Sequence, residues 1–270
     1  MGQIVGSFAM SHTLGAPDGI EPQAERVFQG MREVGRRLRD TQPDVVVILT
    51  SDHLNNFSLE HPAPLAVATD DSFTPYGDMG IPTDPIKGNS AFARQLQQYA
   101  TQQQIPLAEV EHVRPDHGVM IPVAISDPQR QLAIVPLYIN TVFDPAPSSA
   151  ECWQLGQMLR RFIEQERPDT ERVALLACGG LSHWPGAPEE GQVNEAWDRH
   201  FMAQLVGDEA PEFEQWSNEE ILHKGGSGGL EINAWIALAG ATPALRGEVL
   251  FYEAIPEWAT GMGGLSLSCV

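Results

Sequence analysis

The sequence predicts one α/β domain spanning residues 1–270, a single three-layer α/β/α arrangement with a mostly buried, mixed central sheet. Three observations predict it. Short apolar runs at the length of buried strands recur at Ile4–Met10, Val45–Thr50, Leu132–Ile139 and Arg172–Cys178. Longer stretches between them carry apolar residues at helical spacing. No internal repeat, low-complexity tract or linker divides the chain, so the strand and helix alternation belongs to one layered unit.

In chain order, Ile4–Met10 leads into Ser11-His12 and a turn-rich piece from Gly15 to Gly19. Val27, Met31, Val34 and Leu38 then mark one stripe of a helix that Pro43 ends. The second strand, Val45–Thr50, runs into Ser51-Asp52-His53, and a short strand is expected near Leu65–Ala68. From Asp70 to Gly88 the chain has no periodicity and holds Pro75, Gly77, Gly80, Pro82 and Pro85. An extended irregular span inside a compact domain suits a wall or lid of a site. A helix follows from about Ser90 to Gln103, and then Asp116-His117-Gly118 precedes the apolar stretch Val119–Ile125. After the strand at 132–139, Ser148 and Glu151 stand at capping-box spacing before a helix whose inward stripe is Cys152, Leu155, Leu159 and Phe162.

The strand Arg172–Cys178 breaks at Gly179-Gly180 into Leu181-Ser182-His183. Between Trp184 and Gly225 the pattern is helical with interruptions, and Ser217 and Glu220 form a second capping-box pair. The cluster Gly225–Gly229 ends that helix, and Leu230–Ala239 forms a strongly apolar one. Residues from Ile255 to Leu265 read as a closing tail.

Composition limits the function. Thirty-six acidic against sixteen basic side chains give a formal charge of −20, a field that opposes nucleic acid, anionic membrane and strongly anionic substrates. No apolar segment is long enough to span a bilayer and no signal core stands at the start, so a cytoplasmic location is expected. Cys152, Cys178 and Cys269 show no paired spacing, which indicates neither a disulfide framework nor a zinc knuckle. Cys178 beside the Gly-Gly turn has the position of a nucleophile, but an apolar strand end suits a cysteine packed as a small hydrophobe.

Three strands each deliver a histidine at the end where open α/β sheets keep their chemistry: His12, His53 and His183. Two neutral imidazoles plus one carboxylate make the facial triad that holds Fe(II) and leaves positions open. Glu231 is the best third ligand to join His12 and His53, since it opens an otherwise apolar helix where an unpaired carboxylate is costly. The helix dipole favours its ionised form. His183 and His117, both expected in glycine-flanked turns, are the acid–base candidates, each with the alternative of a further metal ligand or a loop brace. His61, His112, His200 and His223 lie in polar or helical surroundings and read as surface.

Ser11-His12, Ser51-Asp52-His53, Asp116-His117-Gly118, Gly180-Leu181-Ser182-His183 and Glu231, in this order, resemble the motifs of the type III extradiol ring-cleaving dioxygenases. The resemblance covers essentially the whole chain. It implies a non-haem Fe(II) enzyme in which His12, His53 and Glu231 bind iron and His183 is the base that deprotonates substrate. His117 would be the partner that hydrogen-bonds substrate or returns a proton. The implied substrates are O2 and a small aromatic diol or aminophenol, and the product is a ring-opened semialdehyde acid. No lysine- or arginine-rich clamp stands near the motifs, which favours a neutral or bulky substituent on the ring. No lid domain is fused here, so a homo-oligomer or a β subunit working with a small α subunit is expected. The competing readings are a zinc enzyme on the same two histidines and glutamate, and a non-catalytic subunit of a dioxygenase complex.

Overall fold

The computed structural model describes residues 2–58, 60, 62–207, 210–242 and 245–269. Its centre is an eight-stranded sheet in the order β6-β3-β7-β2-β8-β1-β10-β9. The strands are β1 (Gln3–Met10), β2 (Val45–Thr50), β3 (Leu65–Ala68), β6 (Leu107–Val110), β7 (Ala133–Ile139), β8 (Arg172–Cys178), β9 (Leu245–Ile255) and β10 (Thr260–Cys269). β1, β8, β2 and β7 run parallel to one another. β3 turns back against β7, and β10 turns back against β1 with β9 beyond it, so the sheet is mixed.

Because successive residues of a strand face opposite ways, the sheet splits its apolar residues between two cores. Phe8, Met10, Val46, Ile48, Ala174 and Leu176 face α1 (Glu21–Asp40) and α3 (His117–Ser126). Ala9, Val47, Leu49, Val135, Leu137 and Leu175 face α2 (Ser90–Gln102), α4 (Ser149–Glu166), α5 (Glu195–Leu205) and α7 (Ile232–Ala241). The three layers expected from the sequence are therefore present. Val27, Met31, Val34 and Leu38 of α1 are all at 0% exposure. Each such residue removes enough apolar surface from water to stabilise the fold by ~1.5–3 kcal/mol. The capping box at α4 is complete, whereas at α6 (Asn218–Gly225) only Ser217 caps, and the Glu220 carboxylate goes to Lys224 instead.

Four expectations need correction. The closing tail is half of a hairpin, β9 and β10, that adds two strands beside β1. β6 forms an edge strand that the sequence reading passed over. The apolar stretch 119–125 is helical, with Pro122 inside it, so His117 stands in the first turn of α3 rather than in a glycine-flanked turn. The span 70–88 is not wholly irregular, since β4 (Ser72–Phe73) pairs with β5 (Ile86–Lys87) and a short 3-10 turn covers Asp78–Gly80. Among the described residues no helix is long and apolar enough to cross a membrane.

Candidate active site

β2, β8 and β1 are neighbours and run parallel, so their carboxyl ends lie side by side on one edge of the sheet. β1 hands over Ser11-His12, β2 hands over Ser51-Asp52-His53, and between them β8 stops at Gly179-Gly180. The bare end of β8 is a requirement of the site. A Cβ on Gly179 would lie 2.9 Å from the Glu231 carbonyl oxygen, and one on Gly180 would lie 2.8 Å from His183 Cε1 and 3.3 Å from Glu231 Oε2. The two glycines thus let Glu231 settle between the flanking histidines, and the Gly180 N–H donates to its carboxylate.

Glu231 is 6% exposed and closes a short 3-10 turn, Gly229–Glu231, at the entrance to α7. Its Oε2 is 3.5 Å from His12 Nε2, and its Oε1 is 3.3 Å from His53 Nε2 and 3.6 Å from His183 Nε2. His12 stands edge-on to His53 and His117, with ring centroids 4.9 Å and 5.4 Å away, and His53 lies over His117 at 4.0 Å. All five residues singled out from the sequence therefore meet in one place. His112, His200 and His223 are exposed, as expected, and His61 lies outside the described residues.

The second nitrogen of each ring fixes what the first can do. His53 donates Nδ1–H to Asp116 Oδ2 at 3.0 Å and turns Nε2 toward Glu231 Oε1 at 3.3 Å, so Nε2 is the nitrogen a cation would claim in exchange for its proton. The same Asp116 oxygen accepts the His53 backbone N–H and Asn55 Nδ2, while Oδ1 accepts the Gly118 N–H and caps α3. One buried carboxylate thus orients His53 and starts the helix that carries His117. His117 donates Nδ1–H to Asp78 Oδ2 at 2.6 Å. His183 donates Nδ1–H to the Leu181 carbonyl at 2.9 Å. A carbonyl only accepts, so the neutral ring presents a basic Nε2 toward Glu231. His12 is at 0% exposure and neither of its ring nitrogens has a hydrogen-bond partner.

Charge follows this geometry. Burial drives His12 down to about 3 against the pull of Glu231, so its ring is neutral. Burial opposes charge on His53 too, but the hydrogen bonds to Asp116 and Glu231 outweigh it and push His53 up to about 10. Two histidines facing one carboxylate thus shift in opposite directions, because His53 is hydrogen-bonded to Asp116 and Glu231 whereas the buried His12 ring has no hydrogen-bond partner. Burial also opposes charge on His183, and Glu231 overcomes it and raises that group. Burial favours the neutral acid of Glu231, yet the charge and hydrogen bond of His183 and the hydrogen bond of His53 hold it well below the usual carboxylate range. A buried anion ringed by imidazole nitrogens that a cation can claim is a donor set for that cation. Among the described residues, His12, His53 and His117 also bring ligand atoms within 4.8 Å of one another. Two overlapping donor sets, sharing His12 and His53, are therefore present.

Cys178 is buried in the core that faces α1, and burial raises its thiol well above the ordinary range, so the nucleophile reading falls. Three carboxylates escaped the sequence reading as site residues: Asp116, Asp78 and Asp198. Asp116 had a signal, since an aspartate directly before a glycine-containing helix start is a capping residue. Asp78 and Asp198 sit far from their partners in sequence, and no local pattern marks them.

The sequence matches the family described as the catalytic LigB subunit of aromatic ring-opening dioxygenase over residues 6–263. The chain belongs to this family. It is a ring-opening dioxygenase, and the likeness to the type III extradiol enzymes read from the five motifs stands. The chain is 26% identical to a 2,3-dihydroxyphenylpropionate/2,3-dihydroxicinnamic acid 1,2-dioxygenase of Klebsiella pneumoniae (strain 342), an alignment covering 95% of this chain and 96% of that one. It is 25% identical to the enzyme of the same name from Cupriavidus necator, covering 91% and 90%. Among solved structures, an uncharacterized protein of Escherichia coli K12 superposes with a TM-score of 0.66 at 15% identity, covering 97% of this chain and 99% of that one. That likeness shows a shared fold. In this LigB-family member the hairpin β9–β10 lies within the shared architecture and braces the site, since Gly261 accepts the Leu181 N–H and donates to the Ser182 carbonyl.

Proposed function

We propose that this LigB-family protein is a cytoplasmic, non-haem Fe(II) extradiol dioxygenase that opens the ring of a catechol-type diol or an aminophenol to a semialdehyde acid. The observation that carries this reading is the meeting of His12 after β1, His53 after β2 and Glu231 in the turn before α7, with the buried His12 nitrogens unpaired. The donor set fits the metal: two neutral-capable imidazoles and one anionic carboxylate. Bound there, iron would supply a chelating centre for the two substrate oxygens and an electron path between the diol and O2.

The chain's own residues account for the rest. His183 takes the proton of a substrate hydroxyl at Nε2, and its Nδ1–H stays on the Leu181 carbonyl, so the imidazolium keeps its orientation. The nearby Glu231 charge favours that imidazolium. His117, locked through Nδ1 on Asp78, keeps Nε2 as its free position and hydrogen-bonds the substrate or returns the proton. Asp116 keeps His53 in the tautomer that offers a lone pair. Burial of His12 and Glu231 keeps bulk water from the reacting groups.

The relatives named above act on a carboxylated diol. For this chain we favour an uncharged or bulky ring substituent, because the formal charge is −20 and the Arg114 guanidinium is already engaged. It donates to the Pro75 and Tyr76 carbonyls and lies over the Tyr76 ring. The chain is expected to act as a homo-oligomer or with a separate small α subunit. A second reading, a zinc enzyme, rests on the three-histidine set of His12, His53 and His117, since three imidazoles suit catalytic Zn2+. Anaerobic Fe(II) loading followed by O2 and a panel of catechols and aminophenols tests the proposal. A coloured ring-fission product supports it. Stoichiometric zinc with no turnover after Fe(II) loading supports the second reading.

A further inference from the structure

Beside Ser182, the residue directly before His183, lies a buried carboxylate that the chemistry above does not use. Asp198 of α5 is at 0% exposure. Its Oδ1 accepts the Ser182 N–H at 2.9 Å, and its Oδ2 accepts the Ser182 Oγ–H at 2.9 Å and the Tyr252 O–H at 2.7 Å. Ser182 Oγ in turn accepts the Asn194 N–H at 2.7 Å. An aspartate sealed in an apolar layer is costly unless its hydrogen bonds are needed, and two of these three go to the residue directly before His183. On its other side His183 is clamped by the glycine loop after α6: its N–H donates to the Gly225 carbonyl at 2.8 Å, and its carbonyl accepts the Gly228 N–H at 3.1 Å. A Cβ on Gly228 would lie 2.1 Å from His183 Nε2. The His183 backbone is thus held by the glycine loop and, through Ser182, by Asp198.

We propose that Asp198 is a positioning residue for the acid–base group: through Ser182 it fixes the backbone from which His183 reaches the substrate. The inference rests on the reading of His183 as the base. It differs from a simple fold brace in one respect, that its effect must pass through the imidazole. The test uses the full-length, anaerobically Fe(II)-loaded enzyme with 4-nitrocatechol, whose absorption reports the ionisation of the bound diol. Asp198→Asn should weaken binding by about tenfold and leave less of the bound probe ionised, with Fe(II) content unchanged, a size typical of coupled contacts. In a His183→Ala background the same substitution should cost less than about twofold, as expected when two residues act through one path.

Equal weakening in both backgrounds, or none in either, overturns the proposal. If Asp198→Asn does not fold, Tyr252→Phe removes a single hydrogen bond to the same carboxylate. It then carries the same cycle, with an expected loss of about threefold. Failure of the loaded wild-type enzyme to bind any catechol would instead sink the functional reading, and the positioning role with it.

Discussion

Replacing Asp116 with asparagine tests how far the site depends on the carboxylate that orients His53. Asp116 is at 0% exposure and accepts four donors: the His53 N–H at 2.9 Å, and His53 Nδ1–H, Asn55 Nδ2 and the Gly118 N–H at 3.0 Å each. Asparagine keeps one acceptor oxygen. If that oxygen stays on Gly118 to cap α3, its NH2 group faces three donors where a carboxylate oxygen had accepted them. His53 relieves one clash by giving up its Nδ1 proton and keeping the one on Nε2, the tautomer that offers a cation no lone pair beside Glu231. A buried donor left unpaired costs about 1–3 kcal/mol, so two of them predict a stability loss of roughly 2–6 kcal/mol. Disturbing the hydrogen-bond partner of a metal-binding histidine typically costs about 10–100-fold in metal affinity. The assay is urea unfolding together with anaerobic Fe(II) titration against a chromogenic chelator. A folded Asp116→Asn protein that binds Fe(II) within about twofold of wild type would refute the orienting role, given that expected range.

Three further outcomes follow from the same geometry. His183→Ala should retain Fe(II), measured by metal analysis, while turnover of any accepted catechol falls by ~10²–10⁴-fold, the usual contribution of a positioned acid–base group. Burial raises the Asp198 carboxyl from 3.8 to about 6. A group whose folded value is raised stabilises the fold below its unfolded value and loses that contribution as pH rises through the folded one. Wild-type stability should therefore fall between about pH 4 and 6 by about 3 kcal/mol from this group, at ~1.4 kcal/mol per pH unit. Asp198→Asn should flatten that slope in urea midpoints measured across the window. Cys178, buried with its thiol raised, should resist alkylation in the native enzyme, and Cys178→Ala should keep turnover within about threefold, since no chemistry passes through it.

What could be read in advance divides along physical lines. β1, β2, β7 and β8 announce themselves because strands buried on both faces are continuous apolar runs, and α1 and α4 because one-sided burial imposes a helical stripe. The hairpin β9–β10 was missed because Gly247, Gly261, Gly263 and Gly264 dilute its β character, so its strands read as tail. α3 carries no periodic signal because Gly118–Val123 is buried on successive faces of the helix and the stretch is apolar throughout, so periodicity distinguishes nothing. His12, His53, His183 and Glu231 were legible because each follows a strand end or opens an apolar helix, where an isolated polar residue stands out. Asp78 and Asp198 were not, because their partners, His117 and Ser182, come from other segments that only the folded chain brings to them.

The most direct measurement is equilibrium Fe(II) binding under anaerobic conditions to the wild-type enzyme, Glu231→Ala and His117→Ala. The account predicts stoichiometric iron in the wild type and in His117→Ala, and loss of binding in Glu231→Ala. Retained binding in Glu231→Ala with loss in His117→Ala would contradict it and move the metal to the three-histidine set.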